Sequence, residues 1–256
     1  MSFGNTESDN YASLDEARHM FEELPRRTPT LEMALREAGI QDYERILENA
    51  RELADRARED PEIAALGLTD DEAAAISCYI LEVSDGKSPY MIINESLSVS
   101  RNRQTLFSTR RLIYLLLSGL RKLPRFKPST GQMLYRGVRA KVPTNEKEAC
   151  GHQYYAKGRT VTWWGLTETY LSLEVPNIYI RGASSSTLFN IVGEDLWGYN
   201  ISAFSMFPME EEVVLEPEAK MLVNGVVSLG NTLVVNLTFQ PFDHLVLEDI
   251  IPPRAN

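Results

Sequence analysis

The hydrophobic pattern of this 256-residue chain changes period once, and that change limits the fold more than any other feature. Before Pro124 the apolar residues recur three and four positions apart, the spacing of one helix face. After the connector Pro128-Ser129-Thr130-Gly131 the apolar runs shorten, gain β-branched and aromatic residues and are bounded by turn formers, as strands are. Helices first and strands second predict an α+β chain rather than alternating βαβ units. The expected division is a disordered N-terminus over 1–12, a helical lobe over 13–127 and a β-rich core over 128–256.

In the helical part, Ser13 is placed to cap a helix over 14–24, with Glu16 completing a capping box and Pro25 ending it. Thr30 precedes Leu31, Ala34, Leu35 and Ala38 at helical spacing, and Gly39 follows as a terminator. A Glu-, Arg-, Ala- and Leu-rich stretch predicts a helix over 42–58. Thr69 with Glu72 forms a second capping box ahead of Ala73, Ile76, Tyr79 and Ile80. A short helix over 90–97 and a long one over 104–123 complete the set. Strands are expected over 133–138, 160–164, 177–181, 187–192, 200–206, 211–217, 221–229, 232–240 and 245–247, with Gly230-Asn231 turning a hairpin.

Composition excludes several roles. The formal net charge of −10 argues against nonspecific nucleic-acid binding. Charge is uneven: residues 1–72 hold nineteen acids and eight bases, residues 96–145 no acid and eleven bases. The basic segment suits an anionic ligand such as a pyrophosphate, or answers the acidic lobe. Two cysteines are too few for a disulfide framework and fit a reducing compartment. Cys150 and His152 lack a second ligand pair, so no metal is expected, and no phosphate-loop or Gly-x-Gly-x-x-Gly motif is present. The longest apolar run, 112–117, is too short to span a bilayer. No signal peptide is readable, which fits a cytoplasmic protein or an effector exported by a dedicated machine.

The chemistry concentrates in Met206-Phe207-Pro208-Met209-Glu210-Glu211-Glu212-Val213-Val214-Leu215-Glu216-Pro217. On an extended strand Glu210 and Glu212 share a face and Glu211 takes the other. Two like charges on one face raise each other's pKa and favour a cation opposite; the alternative is a solvated acidic turn. Upstream lie Gln132-Met133-Leu134-Tyr135-Arg136-Gly137-Val138-Arg139 and Thr160-Val161-Thr162-Trp163-Trp164-Gly165-Leu166-Thr167-Glu168-Thr169.

These three segments, in this order, resemble the arginine, Ser-x-Ser, Glu-x-Glu layout of the mono-ADP-ribosyltransferases related to arginine-specific ectoenzymes and bacterial toxins. The resemblance covers roughly residues 130 to 245, and it departs from the family where Thr167-Glu168-Thr169 stands for Ser-Thr-Ser. It implies two packed sheets with an NAD cleft between them, NAD as co-substrate, and an acceptor protein modified on an arginine side chain through an oxocarbenium-like transition state. By the same resemblance Glu212 is the catalytic carboxylate and holds the nicotinamide ribose. Glu210 orients the acceptor guanidinium, and Arg136 anchors the pyrophosphate and ribose. Gly137 lets the backbone approach the nicotinamide, and Thr167 holds Glu212 or a ribose hydroxyl. Thr169 is expected to cap the next helix, and Tyr170 or Tyr179 to stack on the nicotinamide. Phe204 and Phe207 flank the loop that would meet the acceptor. NAD glycohydrolysis by the same residues, or an inactive relative that binds NAD or a protein partner, are the alternatives.

Overall fold

The structure, a computed structural model, describes residues 20–21, 24, 28–81, 83, 87–98, 103–150 and 152–241. The disorder expected over 1–12 and the strand over 245–247 lie outside the described residues. Of the helix over 14–24, only Met20, Phe21 and Leu24 fall within them.

Six helices precede the first strand among the described residues: α1 (Leu31–Glu37), α2 (Tyr43–Ala57), α3 (Pro61–Ala64), α4 (Asp70–Ile80), α5 (Pro89–Ser98) and α6 (Arg103–Lys122). The local signals work as expected. Thr30 accepts a hydrogen bond from the Met33 amide at the start of α1. Both halves of the Thr69–Glu72 capping box form at the start of α4. α4 is the centre of this lobe, since Ala73, Ala74, Ala75, Ile76, Cys78 and Tyr79 are all buried. Its moment is weak because packing surrounds it on every side.

Four bases of the basic segment answer acids. Arg110 and Arg111 both reach Glu37 at 2.8 Å, and Lys122 reaches Glu72 at 2.6 Å. Arg121 pairs with the buried Glu216, which also accepts a 2.7 Å hydrogen bond from the Tyr199 hydroxyl. That last pair ties α6 to the β-rich part across 95 residues of sequence.

Nine strands form one hydrogen-bonded ladder: β1 (Arg125–Phe126), β2 (Leu134–Val138), β3 (Thr160–Trp163), β4 (Thr167–Tyr170), β5 (Ser186–Val192), β6 (Gly198–Asn200), β7 (Glu212–Leu215), β8 (Ala219–Leu229) and β9 (Thr232–Gln240). Their order is β1-β6-β7-β4-β2-β5-β9-β8-β3, antiparallel except for β5 with β9. The thinnest joint is β2 with β4, paired only at Tyr135↔Tyr170. There the ladder divides into two packed halves. Val213 and Leu215 of β7 share one core with Leu134, Phe189 and Val235 of the other half. Alternation turns Val214 the other way, into the helical core with Tyr199 and Leu166.

The structure departs from the local expectations at five places. Of residues 177–181, expected as a strand, 177–180 belong to helix α8 (Glu174–Ile180) and Arg181 caps its end; so short an apolar run fits either period, and only Pro176 and Ile180 of this helix are buried. A short helix, α7 (Glu146–Ala149), forms because the Asn145 side chain caps it by accepting from the Glu148 amide. Over 200–206 the chain leaves β6 and enters a 3₁₀ turn at Ser202–Phe204. The carboxylate strand starts at Glu212 rather than at 211, because Glu211 takes a left-handed conformation with φ +49°. The first strand also lies before residue 128, pairing Arg125 with Tyr199.

Candidate active site

The segment before β7 forms a 3₁₀ turn, Pro208–Glu210, and Glu211 then reverses the chain into the strand. Glu210 is thus on a turn and half-buried, Glu211 is exposed, and Glu212 opens β7 with 6% of its surface accessible. The strand-face argument for Glu210 and Glu212 does not hold. Glu210 nevertheless stays close enough for its charge to act on Glu212.

Register decides what Glu212 faces. β4 and β7 pair as Thr167↔Leu215, Glu168↔Val214, Thr169↔Val213 and Tyr170↔Glu212. Opposed residues share a face, so Glu168, Tyr170 and Glu212 lie on the side toward the helices. Thr167 and Thr169 lie on the other side, with Val213 and Leu215. The structure does not bring Thr167 to Glu212: its hydroxyl donates to the Gly165 carbonyl at 3.3 Å. The Thr169 hydroxyl donates to the Val213 carbonyl at 2.6 Å and caps no helix; the Ser172 hydroxyl accepts from Glu174 at the start of α8 instead.

Arg136 stands on β2 beside its joint with β4, next to Tyr135, which pairs with Tyr170. Its Nη1 donates to the main-chain carbonyl of Glu168 at 2.8 Å and its Nη2 to the Tyr90 hydroxyl at 3.1 Å. Its guanidinium also stands 6.0 Å from the centre of the Trp163 ring. Burial works against the charge, but Tyr90 and Glu168 outweigh it and raise the pKa. Arginine has five donors in a fixed fork, so these two bonds orient the group and leave donors for a phosphate.

Two glycines allow the close approaches that build the site. A Cβ on Gly137 would meet Ile180 Cγ2 at 2.8 Å and the Pro176 carbonyl at 2.9 Å. Gly137 is therefore required by the packing of α8 on β2, a reason the expected approach to nicotinamide does not need. A Cβ on Gly165, in the β3–β4 turn, would meet Asn94 Oδ1 of α5 at 2.5 Å. Asn94 donates to the Tyr79 hydroxyl, which donates to the Leu166 carbonyl, both at 3.4 Å. Helices α4 and α5 are thereby fastened to the turn that positions Glu168.

The electrostatics follow from burial. Glu212 is pushed up to about 9, first by desolvation, then by the charges of Glu168 and Glu210, with Arg136 opposing. The Tyr170 hydroxyl is raised by burial and then by Glu212, Glu168 and Glu210. Tyr79 is raised by burial and Glu168, and its ring meets Tyr90 edge-on at 5.4 Å. A buried carboxylate among aromatic walls, with like charges nearby, favours a cation placed against it. Among the described residues no group of His, Cys, Asp or Glu is arranged to hold a metal, and no helix is long and apolar enough to cross a membrane.

Of the remaining expectations, Trp163 is core, its Nε1 donating to Tyr155 at 2.8 Å, while Trp164 is half-buried. Tyr179 is exposed, so of the two tyrosines expected to stack on nicotinamide only Tyr170 lies at the site. Phe204 is buried, and Phe207 is exposed on the loop with Met206 and Met209. Sequence reasoning missed Tyr79, Tyr90 and Asn94, and gave Glu168 no role. Period-two alternation groups positions 166, 168 and 170 on one face, but only the pairing of β4 with β7 shows that this face carries Glu212.

A buried glutamate opening β7 thus lies on the helix side of a nine-stranded mixed ladder, close enough to Arg136 of β2 for its charge to be felt. The family model for NAD:arginine ADP-ribosyltransferase matches residues 5–240. The chain belongs to that family, whose co-substrate is NAD. Comparison of the sequence with curated proteins gives no match. Solved structures share the fold at low identity. The eucaryotic mono-ADP-ribosyltransferase ART2.2, as a mutant in complex with NADH, is 16% identical with a TM-score of 0.55, covering 95% of this chain and 94% of its own. The ADP-ribosyltransferase HopU1 of Pseudomonas syringae is 16% identical at a TM-score of 0.54, covering 77% and 97%. The ADP-ribosyltransferase Vis of Vibrio splendidus, in complex with agmatine, is 18% identical at 0.52, covering 78% and 87%.

Proposed function

We propose that this chain transfers ADP-ribose from NAD to an arginine side chain of an acceptor protein, releasing nicotinamide. The observation that carries the reading is Glu212, a buried carboxylate facing Tyr170, with the Arg136 guanidinium clamped nearby. Arg136 binds the pyrophosphate through its free donors. Glu212 stabilises the positive charge that builds on the ribose as its bond to nicotinamide breaks. At an effective dielectric of about 20 and a separation of about 4 Å, that interaction is worth roughly 4 kcal/mol, about a thousandfold in rate. Only the ionised form does this, and a cation brought against Glu212 favours that form.

Glu210, on the turn before the strand, orients the acceptor guanidinium, whose nitrogen forms the new bond to the anomeric carbon and loses a proton. Support for arginine comes from Vis, which was solved with agmatine, itself a guanidinium compound. The exposed Met206, Phe207 and Met209 beside Glu210 give an acceptor protein an apolar contact. NAD-binding without turnover is the second reading, favoured by the burial of Glu212, which opposes its ionised form, and by a Thr167 turned away from it.

Incubation with labelled NAD, agmatine and a cell lysate, followed by mapping of the modified residue, tests the proposal. Label on arginine and on agmatine supports it. Label on another residue type removes the arginine assignment, and nicotinamide release without label transfer identifies a glycohydrolase.

A further inference from the structure

The loop that carries Glu210 is fastened by its own chain from end to end. Its two ends meet where the Ile201 amide donates to the Glu212 carbonyl at 3.1 Å, at the first residue of β7. Compact loops with joined ends keep their shape through their own side chains. The chain first turns through the 3₁₀ segment Ser202–Phe204, which packs against α2 and α4. Ile201 and Phe204 are both buried in the core of the helical lobe. That lobe therefore fixes where the loop starts.

Ser205 follows the anchor directly. It is buried and extended, with φ −90° and ψ 155°. Its Oγ accepts a hydrogen bond from the Phe207 amide at 3.1 Å, a serine turn in which a side-chain oxygen stands for a main-chain one. The Phe207 carbonyl in turn accepts from the Glu210 amide at 3.0 Å, within the 3₁₀ turn Pro208–Glu210. The Glu211 carbonyl accepts from the Leu171 amide at 3.3 Å and ties the far side of the turn to the end of β4. Met206, Phe207 and Met209, between these fastenings, are more than half exposed. The other bonds join main-chain groups, which substitution leaves in place. The bond at Ser205 is made by a side chain, so it can be removed without changing what the loop exposes.

We propose that Ser205 is a positioning residue for the acceptor: its hydroxyl holds Phe207 and, through the Phe207 carbonyl, Glu210 in the geometry that receives a guanidinium. The inference rests on the reading of Glu210 as the acceptor-side carboxylate and adds to it a residue with no role assigned so far. It also gives the helical lobe a part in acceptor binding, since Phe204 sets the origin of the loop. No covalent step is added. A loop already in its working shape avoids the ordering cost of forming around each acceptor. Without the Ser205 bond, residues 206–210 sample further conformations and the acceptor meets the competent one less often. One such hydrogen bond changes that population about three- to tenfold, and the apparent affinity for the acceptor falls by the same factor. Nicotinamide release at Glu212, on the strand beyond the loop, does not share the loss.

The test compares wild type with Ser205→Ala, which removes the hydroxyl, and with Ser205→Thr and Ser205→Asn, which keep an oxygen able to accept from Phe207. Glu210→Gln is assayed beside them. The readouts are kcat and KM for agmatine, nicotinamide release in the absence of an acceptor, and hydrogen exchange of the Phe207 amide followed by NMR. Ser205→Ala should raise the agmatine KM about three- to tenfold with kcat close to wild type. It should leave acceptor-free nicotinamide release unchanged and speed exchange at Phe207. At least one of the threonine and asparagine variants should restore the KM. A purely structural role would lower thermal stability without splitting the two activities in this way. A wild-type agmatine KM in Ser205→Ala, or a Phe207 amide that exchanges no faster, overturns the inference when Glu210→Gln still loses agmatine transfer. Full agmatine transfer by Glu210→Gln overturns the reading of Glu210 itself, and the inference with it.

Discussion

Glu212→Gln should stabilise the protein at alkaline pH, in opposition to what it does to activity. The folded pKa of Glu212 is about 9, against 4.5 for the free side chain. A carboxyl raised on folding binds a proton in the folded state that the unfolded chain has released. Its contribution to stability is therefore lost as pH rises from the unfolded value toward the folded one. The slope is at most about 1.4 kcal/mol per pH unit. Between pH 6 and 8 wild type should lose up to about 3 kcal/mol from this one group. Glutamine has the shape of the protonated carboxyl and does not ionise, so the variant escapes that loss. Urea unfolding of both proteins at pH 6, 7 and 8 measures it, because the titrations the two proteins share cancel in the difference. The variant's advantage should grow with each pH step. A difference that stays flat, or a variant less stable at pH 8 than at pH 6 relative to wild type, would show that Glu212 is already ionised in the folded protein. The argument from burial and like charge would then be wrong.

Glu210→Gln should depress ADP-ribosylation of agmatine far more than nicotinamide release, since Glu210 stands on the acceptor side; equal loss in the two assays means it serves NAD binding. Thr167→Val should leave NAD turnover within a few-fold of wild type, because its hydroxyl bonds to Gly165 on the face away from Glu212. The lost hydrogen bond should cost about 1 kcal/mol in urea unfolding, and a loss of turnover beyond tenfold contradicts the register. Gly137→Ala should destabilise by about 1–3 kcal/mol through contact with Ile180 and Pro176; a variant of wild-type stability would mean that α8 yields without cost.

The helices were legible wherever a long amphipathic run met a cap. Thr69–Glu72 ahead of α4 and the Leu- and Ile-rich stripe of α6 read directly, because both signals are local. α8 was not, since the five residues 177–181 carry too little pattern to separate helix from strand. Glu212 and Arg136 were identifiable from their motifs, and the structure brings them to one region. The parity of β4 was not identifiable from those motifs. Aligning a hydroxyl with Thr167 put the wrong set of side chains toward Glu212, and only the pairing of β4 with β7 shows that Glu168 takes that face. The left-handed Glu211 was equally hidden, as glutamate seldom adopts that conformation and nothing in the sequence marks it. Tyr79 and Tyr90 reach the site from helices about 80 residues or more upstream of β4, so their place depends on how the helical lobe packs on the sheet.

The most direct test of the central claim is the rate of nicotinamide release from NAD by wild type and by Glu212→Gln at pH 9, where burial no longer keeps Glu212 from ionising. Wild type should turn NAD over, and the variant should be slower by two to three orders of magnitude, the loss expected for a buried charge that acts in the transition state. Equal rates, or no release by wild type anywhere from pH 6 to 10, would contradict the claim that Glu212 cleaves NAD.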